Sequence, residues 1–185
     1  MSERHPLWKT IEVKELIKTK IFRLNEEICQ SQDGKPGPTY YTLDIPDWVN
    51  VVALTPDHQI ILADQYRHSA RDYFLEIPGG VVDAHEAPER AALRELREET
   101  GYVSSKMHFI GKHRPNPALQ NNWMHTYLAL DCELGSKQDL DLFEEIDVHL
   151  MSLKDLKVAI DEGRILHSII LASLFLTLSK LDQYL

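Results

Sequence analysis

The segment GGVVDAHEAPERAALRELREETGY, Gly79 to Tyr102, constrains this chain more than any other stretch. Pro88 suits the first turn of a helix, Glu89 complements its positive end, and Gly101 suits the position just past its last turn. A helix is therefore predicted from about Pro88 to Thr100. Successive helical residues rotate by about 100°. With Ala92 set at zero, Leu96, Thr100 and Leu93 fall within the next ~100° and form the stripe expected to face the core. Glu98, Glu95 and Glu99 fall at roughly 240°, 300° and 340°, one arc bordering that stripe. Glu95 and Glu99 lie four residues apart, a spacing at which like charges repel. Carboxylates crowded in this way ask for a cation among them. A hard ion such as Mg²⁺ takes oxygen ligands and shares phosphate oxygens with a substrate. The plainer alternative is a solvated surface helix whose Arg90, Arg94 and Arg97 neutralise its glutamates, and the helix alone favours that reading.

The rest of the chain sets the context. Its 185 residues suffice for one domain with a real core and a small appendage. With 29 acidic against 20 basic residues, a nucleic-acid surface or an anionic membrane is a poor partner. An acidic enzyme acting on an anionic substrate needs local positive charge, which a bound divalent cation supplies. The start, MSERHPLWKT, has no apolar stretch of the secretory kind. The run ILHSIILASLFLTL, Ile165 to Leu178, is too short to span a bilayer and carries a His and two Ser, so a buried C-terminal helix is expected. Cys29 and Cys132 lack metal-type spacing and fit free thiols in a reducing cytoplasm.

TIEVKELI, IFRLNEEI and YYTLDI read as strands, with QDGKPGP as a turn between the last two. That sheet is poor in apolar residues and needs another surface to pack against. WVNVVALT and IILADQY flank TPDHQ as a hairpin, and YFLEI follows as a strand. MHFIGKH, HTYLALD and IDVHLM are later strands. Ser152 with Asp155 caps a helix ending before Gly163. Strands mixed with three helices make a layered α/β (α+β) fold.

Spacing around the helix decides between its two readings. Gly80, five residues, Glu86, seven residues, then Arg94-Glu95-Leu96-Arg97-Glu98-Glu99-Thr100-Gly101-Tyr102 reproduces the Nudix box in full. At usage near ~7% per residue type, seven fixed positions coincide by chance about once in 10⁸ starts. The chain resembles the Nudix hydrolases. The resemblance implies an α/β/α sandwich with a mixed sheet, and a loop-helix-loop that binds divalent metal, Mg²⁺ or Mn²⁺ in its place, together with a diphosphate. It implies Glu95 and Glu99 as principal metal ligands, Glu98 assisting, and the Gly79 carbonyl as a further ligand. Glu86 and Arg94 are implied to hold the loop and orient the glutamates, as supporting groups around metal ligands do.

Outside the box, ADQYRHSARDYFLEIPGG is similar to the segment preceding it in ADP-ribose pyrophosphatases and related nucleoside diphosphate sugar hydrolases. This likeness implies substrate contacts at Arg67 and Glu76. It also implies an N-terminal β-rich segment, residues 1–45, that builds a homodimer, followed by the hydrolase domain, residues 46–185. A loop acid assisting catalysis falls in QDLDLFEEIDVHL, with Glu144 the first candidate and Glu145 the second; activation of water chiefly by metal remains the alternative. Trp8, Tyr40, Tyr41 and Trp48 lie where the family places rings that stack on a base, each with a core role as the alternative. RPNPALQNNW, Arg114 to Trp123, is a loop expected to border the pocket. The implied function is hydrolysis of the pyrophosphate of a nucleoside diphosphate sugar, ADP-ribose foremost, by a cytoplasmic homodimer. Two alternatives stand beside it. A Nudix nucleoside triphosphate house-cleaning pyrophosphatase is disfavoured by the Q-Y-R segment, and a non-catalytic nucleotide-binding module by the complete box.

Overall fold

The computed structural model describes residues 7–185; the first six, MSERHP, which enter the expectation about secretion, lie outside the described residues. The chain begins with an antiparallel three-stranded sheet of β1 (Trp8–Lys18), β2 (Arg23–Ser31) and β3 (Pro36–Asp44), in that order. Its turn is tighter than the QDGKPGP signal suggested, because Pro36 already starts β3. Every residue of β1 is exposed, including Ile11, Val13, Leu16 and Ile17, and Cys29 is buried in β2. By its contacts this sheet forms one unit, ending at Pro46, together with residues Arg114–Trp123. Within it the Leu43 N–H donates to the Leu119 carbonyl at 2.7 Å, and the Asn121 side chain donates to Asp44 at 2.7 Å. The Arg114 guanidinium lies over the Trp123 ring, 3.6 Å from its centroid.

The second unit comprises Asp47–His113 and Met124–Leu185. Its strands are β4 (Trp48–Leu54), β5 (Gln59–Arg67), β6 (Asp72–Glu76), β7 (Gly79–Val81), β8 (Tyr102–Val103), β9 (Lys106–His113), β10 (Met124–Leu130), β11 (Glu133–Leu134) and β12 (Ile146–Ser152). Its helices are α1 (Pro88–Thr100), α2 (Leu153–Asp161) and α3 (Ser168–Leu178). A seven-stranded sheet runs β12-β5-β4-β10-β9, with β6 on β5 and β7 on β4. β4 and β10 are parallel and the other pairs antiparallel, so the sheet is mixed, as the sequence implied.

Strand periodicity builds two cores from one sheet. Val49, Val51, Ala53, Ile61, Tyr127 and Ala129 point to one face and pack on Ala91, Ala92 and Leu96 of α1. Val52, Leu54, Ile60, Leu62, Leu128 and Leu130 point to the other, against Leu156 and Ala159 of α2 and Ile170 and Leu174 of α3. Burial on both faces is why β4 reads as an almost unbroken apolar run. This is the α/β/α sandwich. Leu96 is fully buried, and truncation to Ala at such a site costs about 2–5 kcal/mol.

Local signals end the helices where expected. Gly101 adopts φ 76°, and its N–H closes α1 on the Arg97 carbonyl at 2.8 Å. A side chain there would be strained and would strike the Ser136 carbonyl. The Ser152 hydroxyl accepts from the Asp155 N–H at 3.1 Å and starts α2.

Two expectations need correction. Leu93 is 36% exposed and outside the core stripe. The buried face of α1 is Ala91, Ala92, Leu96, Glu99 and Thr100, so the helix is turned to carry part of its acidic arc inward. The C-terminal helix buries one stripe, Ile170, Ser173, Leu174 and Thr177, while Phe175 is largely exposed. The two polar members of that stripe are used. Ser173 Oγ accepts from Asn50 Nδ2 of β4 at 3.1 Å and shares a 3.0 Å hydrogen bond with Thr126 of β10.

Candidate active site

The rotation of α1 decides the character of its carboxylates. Glu99 is 5% exposed, and among the described residues one donor reaches it, the Gly79 N–H of β7, at 2.8 Å. Burial pushes its carboxyl well above the usual range; the Gly79 hydrogen bond opposes this, while the charges of Glu95 and Glu144 add to it. Glu95 is also raised, first by burial, against the pull of Arg94. Gly80 lies so close to Glu95 that a Cβ there would overlap its carboxylate. The glycine is needed to let the loop run beside the glutamate.

Arg94 organises the remaining groups. It reaches Glu86 at 3.0 Å, Glu95 at 2.8 Å, Glu98 at 3.1 Å and the Val81 carbonyl at 3.0 Å. Glu86 is thereby held below the ordinary carboxylate range, first by its hydrogen bond from Arg94. The pair thus ties the loop before α1 to the helix. Arg97 caps Glu98 at 3.0 Å. Four carboxylates, Glu86, Glu95, Glu98 and Glu99, face two guanidiniums, which leaves two negative charges in excess when all are ionised.

Beside this cluster lies a cavity of about 270 Å³, lined by Gly79 and Gly80 together with Trp48, Asn50, Arg67, Glu76, Met124 and His167. The ends of β5 and β6 bring Arg67 and Glu76 together in a two-pronged ion pair, with Nε to Oε1 at 3.1 Å and Nη2 to Oε2 at 2.7 Å. His167 Nδ1 meets Glu76 Oε1 at 2.9 Å. Burial pushes Glu76 up, but the hydrogen bonds of His167 and Arg67 outweigh it and leave the carboxyl below its usual range.

Glu144 sits in the turn before β12, takes a 3.1 Å hydrogen bond from Gln65 of β5, and is close enough to raise both Glu95 and Glu99 by its charge. Glu145 is exposed, and among the described residues no hydrogen bond or ion pair ties it to α1. Of the four rings considered for stacking, Trp48 lines the cavity. Trp8, Tyr40 and Tyr41 belong to the N-terminal sheet, where Trp8 lies on Gly37 and Tyr41 donates to Glu26 at 2.9 Å. Arg114–Trp123 clusters with that sheet as well.

Three functional neighbours escaped the sequence reading. His167 and Gln65 were absent from it as site residues. Gln138, whose side chain donates to the Glu99 carbonyl at 2.6 Å and the Ile146 carbonyl at 3.0 Å, ties the acidic loop to the end of α1. The one available signal was His167 itself, a polar ring heading an apolar run.

Among the described residues no three His, Cys, Asp or Glu groups are already gathered as a metal cage. Arg94 and the Gly79 N–H hold the glutamates instead. The donor set nonetheless fits a hard divalent cation: oxygens alone, surplus negative charge, and a buried carboxylate with a single N–H donor. Glu95 and Glu99 would hold such an ion, with Glu98 on the same helix edge; Gly79, expected to offer its carbonyl, meets Glu99 through its N–H.

Comparison with known proteins places this architecture. The NUDIX domain family model matches residues 46–172. An ADP-ribose pyrophosphatase of Bacillus subtilis (strain 168) is 32% identical over 148 residues, covering 80% of each chain. A methanol dehydrogenase activator of Bacillus methanolicus is 29% identical over 163 residues, 86% of each. A crystal structure described as an ADP compounds hydrolase superposes with a TM-score of 0.85 at 21% identity, covering 98% of both chains, and so shares the fold. Box, sandwich and relatives agree, and the chain belongs to the Nudix family.

Proposed function

We propose that this Nudix pyrophosphohydrolase cleaves the pyrophosphate bond of nucleoside diphosphate sugars with the aid of a divalent cation, ADP-ribose being the foremost substrate. AMP and ribose 5-phosphate would be the products. The observation that carries the reading is the buried, under-donated Glu99, whose single donor among the described residues, Gly79, also lines the cavity that contains Arg67. A diphosphate laid between them has fixed positive charge on one side and a cation-seeking carboxylate cluster on the other.

Glu95 and Glu99 would hold Mg²⁺, or Mn²⁺ in its place, which would supply charge neutralisation for the diphosphate and a lowered pKa for an attacking water. The chain's own groups do the rest. Arg67 binds phosphate oxygen and is aimed by Glu76. Arg94 and Glu86 hold Glu95 and Glu98 at the helix edge. Glu144, held by Gln65, accepts the proton of the water; Glu145, exposed, is the weaker candidate. Trp48 offers a flat apolar face, and stacking of a base on such a ring is worth roughly 1–3 kcal/mol. The B. subtilis relative supports ADP-ribose over a nucleoside triphosphate.

The same reading makes the protein a cytoplasmic homodimer joined through residues 1–45. The exposed Ile11, Val13, Leu16 and Ile17 of β1 support that surface. Among the described residues no helix is long and apolar enough to cross a membrane.

The test is a panel of ADP-ribose, GDP-mannose and 8-oxo-dGTP with Mg²⁺ or Mn²⁺, followed by product analysis in ¹⁸O-labelled water. AMP and ribose 5-phosphate from ADP-ribose, at the highest kcat/KM of the panel, is the expected result. Preferred release of pyrophosphate from the triphosphate would overturn the substrate assignment.

A further inference from the structure

Glu76, a buried carboxylate of the cavity wall, takes three hydrogen bonds, and one of the three comes from an unexpected place. Oε2 takes Arg67 Nη2, whereas Oε1 is shared between Arg67 Nε and His167 Nδ1. His167 comes from the opposite end of the sequence, at the N-cap of α3. An N-cap side chain usually bonds the first free N–H groups of its helix, for which Ser, Thr, Asp and Asn are preferred. α3 has no such side-chain bond and no acid in its first turn. The helix thus forgoes its cap, and the ring is turned on Glu76 instead. A local rule broken at a cavity wall is the mark of a residue kept for the site.

We infer that His167 is a positioning residue, which holds the Glu76 carboxylate at Oε1 so that Glu76 presents the Arg67 guanidinium to the substrate's phosphate. The inference rests on the reading of the cavity as the nucleoside diphosphate sugar pocket. A carboxylate only accepts, so Nδ1 carries the proton in this contact. With Nδ1 as donor, Oε1 has two partners and the carboxylate plane has one orientation. Arg67 meets both oxygens at once, so the plane of Glu76 sets the plane of the guanidinium. Arg67 is 40% exposed at the side chain and free to swing toward water once that template loosens. The phosphate then meets a mobile charge in place of a fixed one, and affinity falls more than turnover.

Covalent geometry supplies a sharp test. Nδ1 of histidine hangs on Cγ, where asparagine carries its amide nitrogen; Nε2 lies one atom further out, where glutamine carries its own. His167→Asn keeps a donor at the Nδ1 position, His167→Gln moves it outward, and His167→Ala removes it. For ADP-ribose with Mg²⁺, His167→Ala is expected to raise KM about tenfold, the size of one charge-assisted hydrogen bond, with kcat within about threefold of wild type. His167→Asn should restore KM to within about twofold, and His167→Gln should not. Melting temperatures of all three, taken alongside, separate loss of fold from loss of affinity, and the Asn against Gln contrast stands even if the Ala variant is unstable. KM unchanged in all three, or equal rescue by Asn and Gln, would sink the positioning role. Wild-type protein inert on ADP-ribose would instead sink the substrate assignment beneath it.

Discussion

Glu76 lines the cavity and Glu99 lies in the acidic cluster beside it, 3% and 5% exposed, yet their surroundings treat charge in opposite ways. Glu76 is met by a guanidinium at both oxygens and an imidazole at one, and its carboxyl is held below the ordinary range. Glu99 is met by one backbone N–H and by the like charges of Glu95 and Glu144, and is driven well above that range. Burial raises both carboxyls, and the donors and charges around each decide whether that push is overcome. The Glu76 site is complete with protein groups alone. On the proposed reading the Glu99 site would be completed by a divalent cation, whereas the Glu76 pair needs none.

The comparison can be broken in three ways. The largest effect is on turnover. Glu95→Gln and Glu99→Gln preserve shape and remove charge, and each should lower kcat/KM by more than about a hundredfold, since even groups that merely support a metal ligand are worth 10–100-fold. Near wild-type rates in both would remove the cation from the acidic helix edge. Next comes stability. Glu76→Gln leaves Arg67 without its carboxylate and should cost about 2 kcal/mol, less than a fully buried pair because Arg67 is partly solvated. That corresponds to a fall of about 4–8 °C in Tm for a domain of this size, measured by thermal unfolding.

The smallest effect sharpens the contrast through pH. The folded, cation-free protein binds the Glu99 proton more tightly than the unfolded chain does. That contribution is present below the ordinary carboxylate value and is lost as pH rises through the raised one. Cation-free protein should therefore lose Tm, by a few degrees, as pH rises from about 5 to about 8. Glu99→Gln, which keeps an acceptor for the Gly79 N–H, should lose less, and Mg²⁺ should restore the wild type but not the variant. Glu76, with its lowered value, has the opposite sign: its contribution is present above the unfolded value and is lost as pH falls through the folded one. A pH profile identical in wild type and Glu99→Gln would show that Glu99 is not the group responsible.

Much of this molecule was legible beforehand, because its strongest signals are local. Pro88 and Gly101 bound α1, Ser152 starts α2, and TPDHQ turns the β4–β5 hairpin. The spacing from Gly80 to Gly101 carried the family and with it the sandwich. What escaped depends on rotation and on long-range meeting. A helical wheel gives relative angles but no origin, so it places Leu93 with the core and Glu99 at its border, whereas the helix is turned the other way. His167 lies 91 residues from Glu76 in sequence, and no local pattern joins them. Gln65 and Gln138 are likewise ordinary until the loop around Glu144 folds against β5 and α1. The grouping of Arg114–Trp123 with the N-terminal sheet hangs on hydrogen bonds to Leu43 and Asp44, which composition does not announce.

The hydroxyl of Ser173, gripped by Asn50 and Thr126, has a consequence for the end of the chain. Greasy surfaces tolerate a helix slipped by one turn, about 5.4 Å, because one aliphatic seat resembles the next. A hydroxyl pinned from two strands has a single seat, so α3 is indexed to the sheet like a key in its slot. The imidazole six places upstream inherits that setting. Replacing the trio with hydrocarbon would keep the helix docked and erase its address.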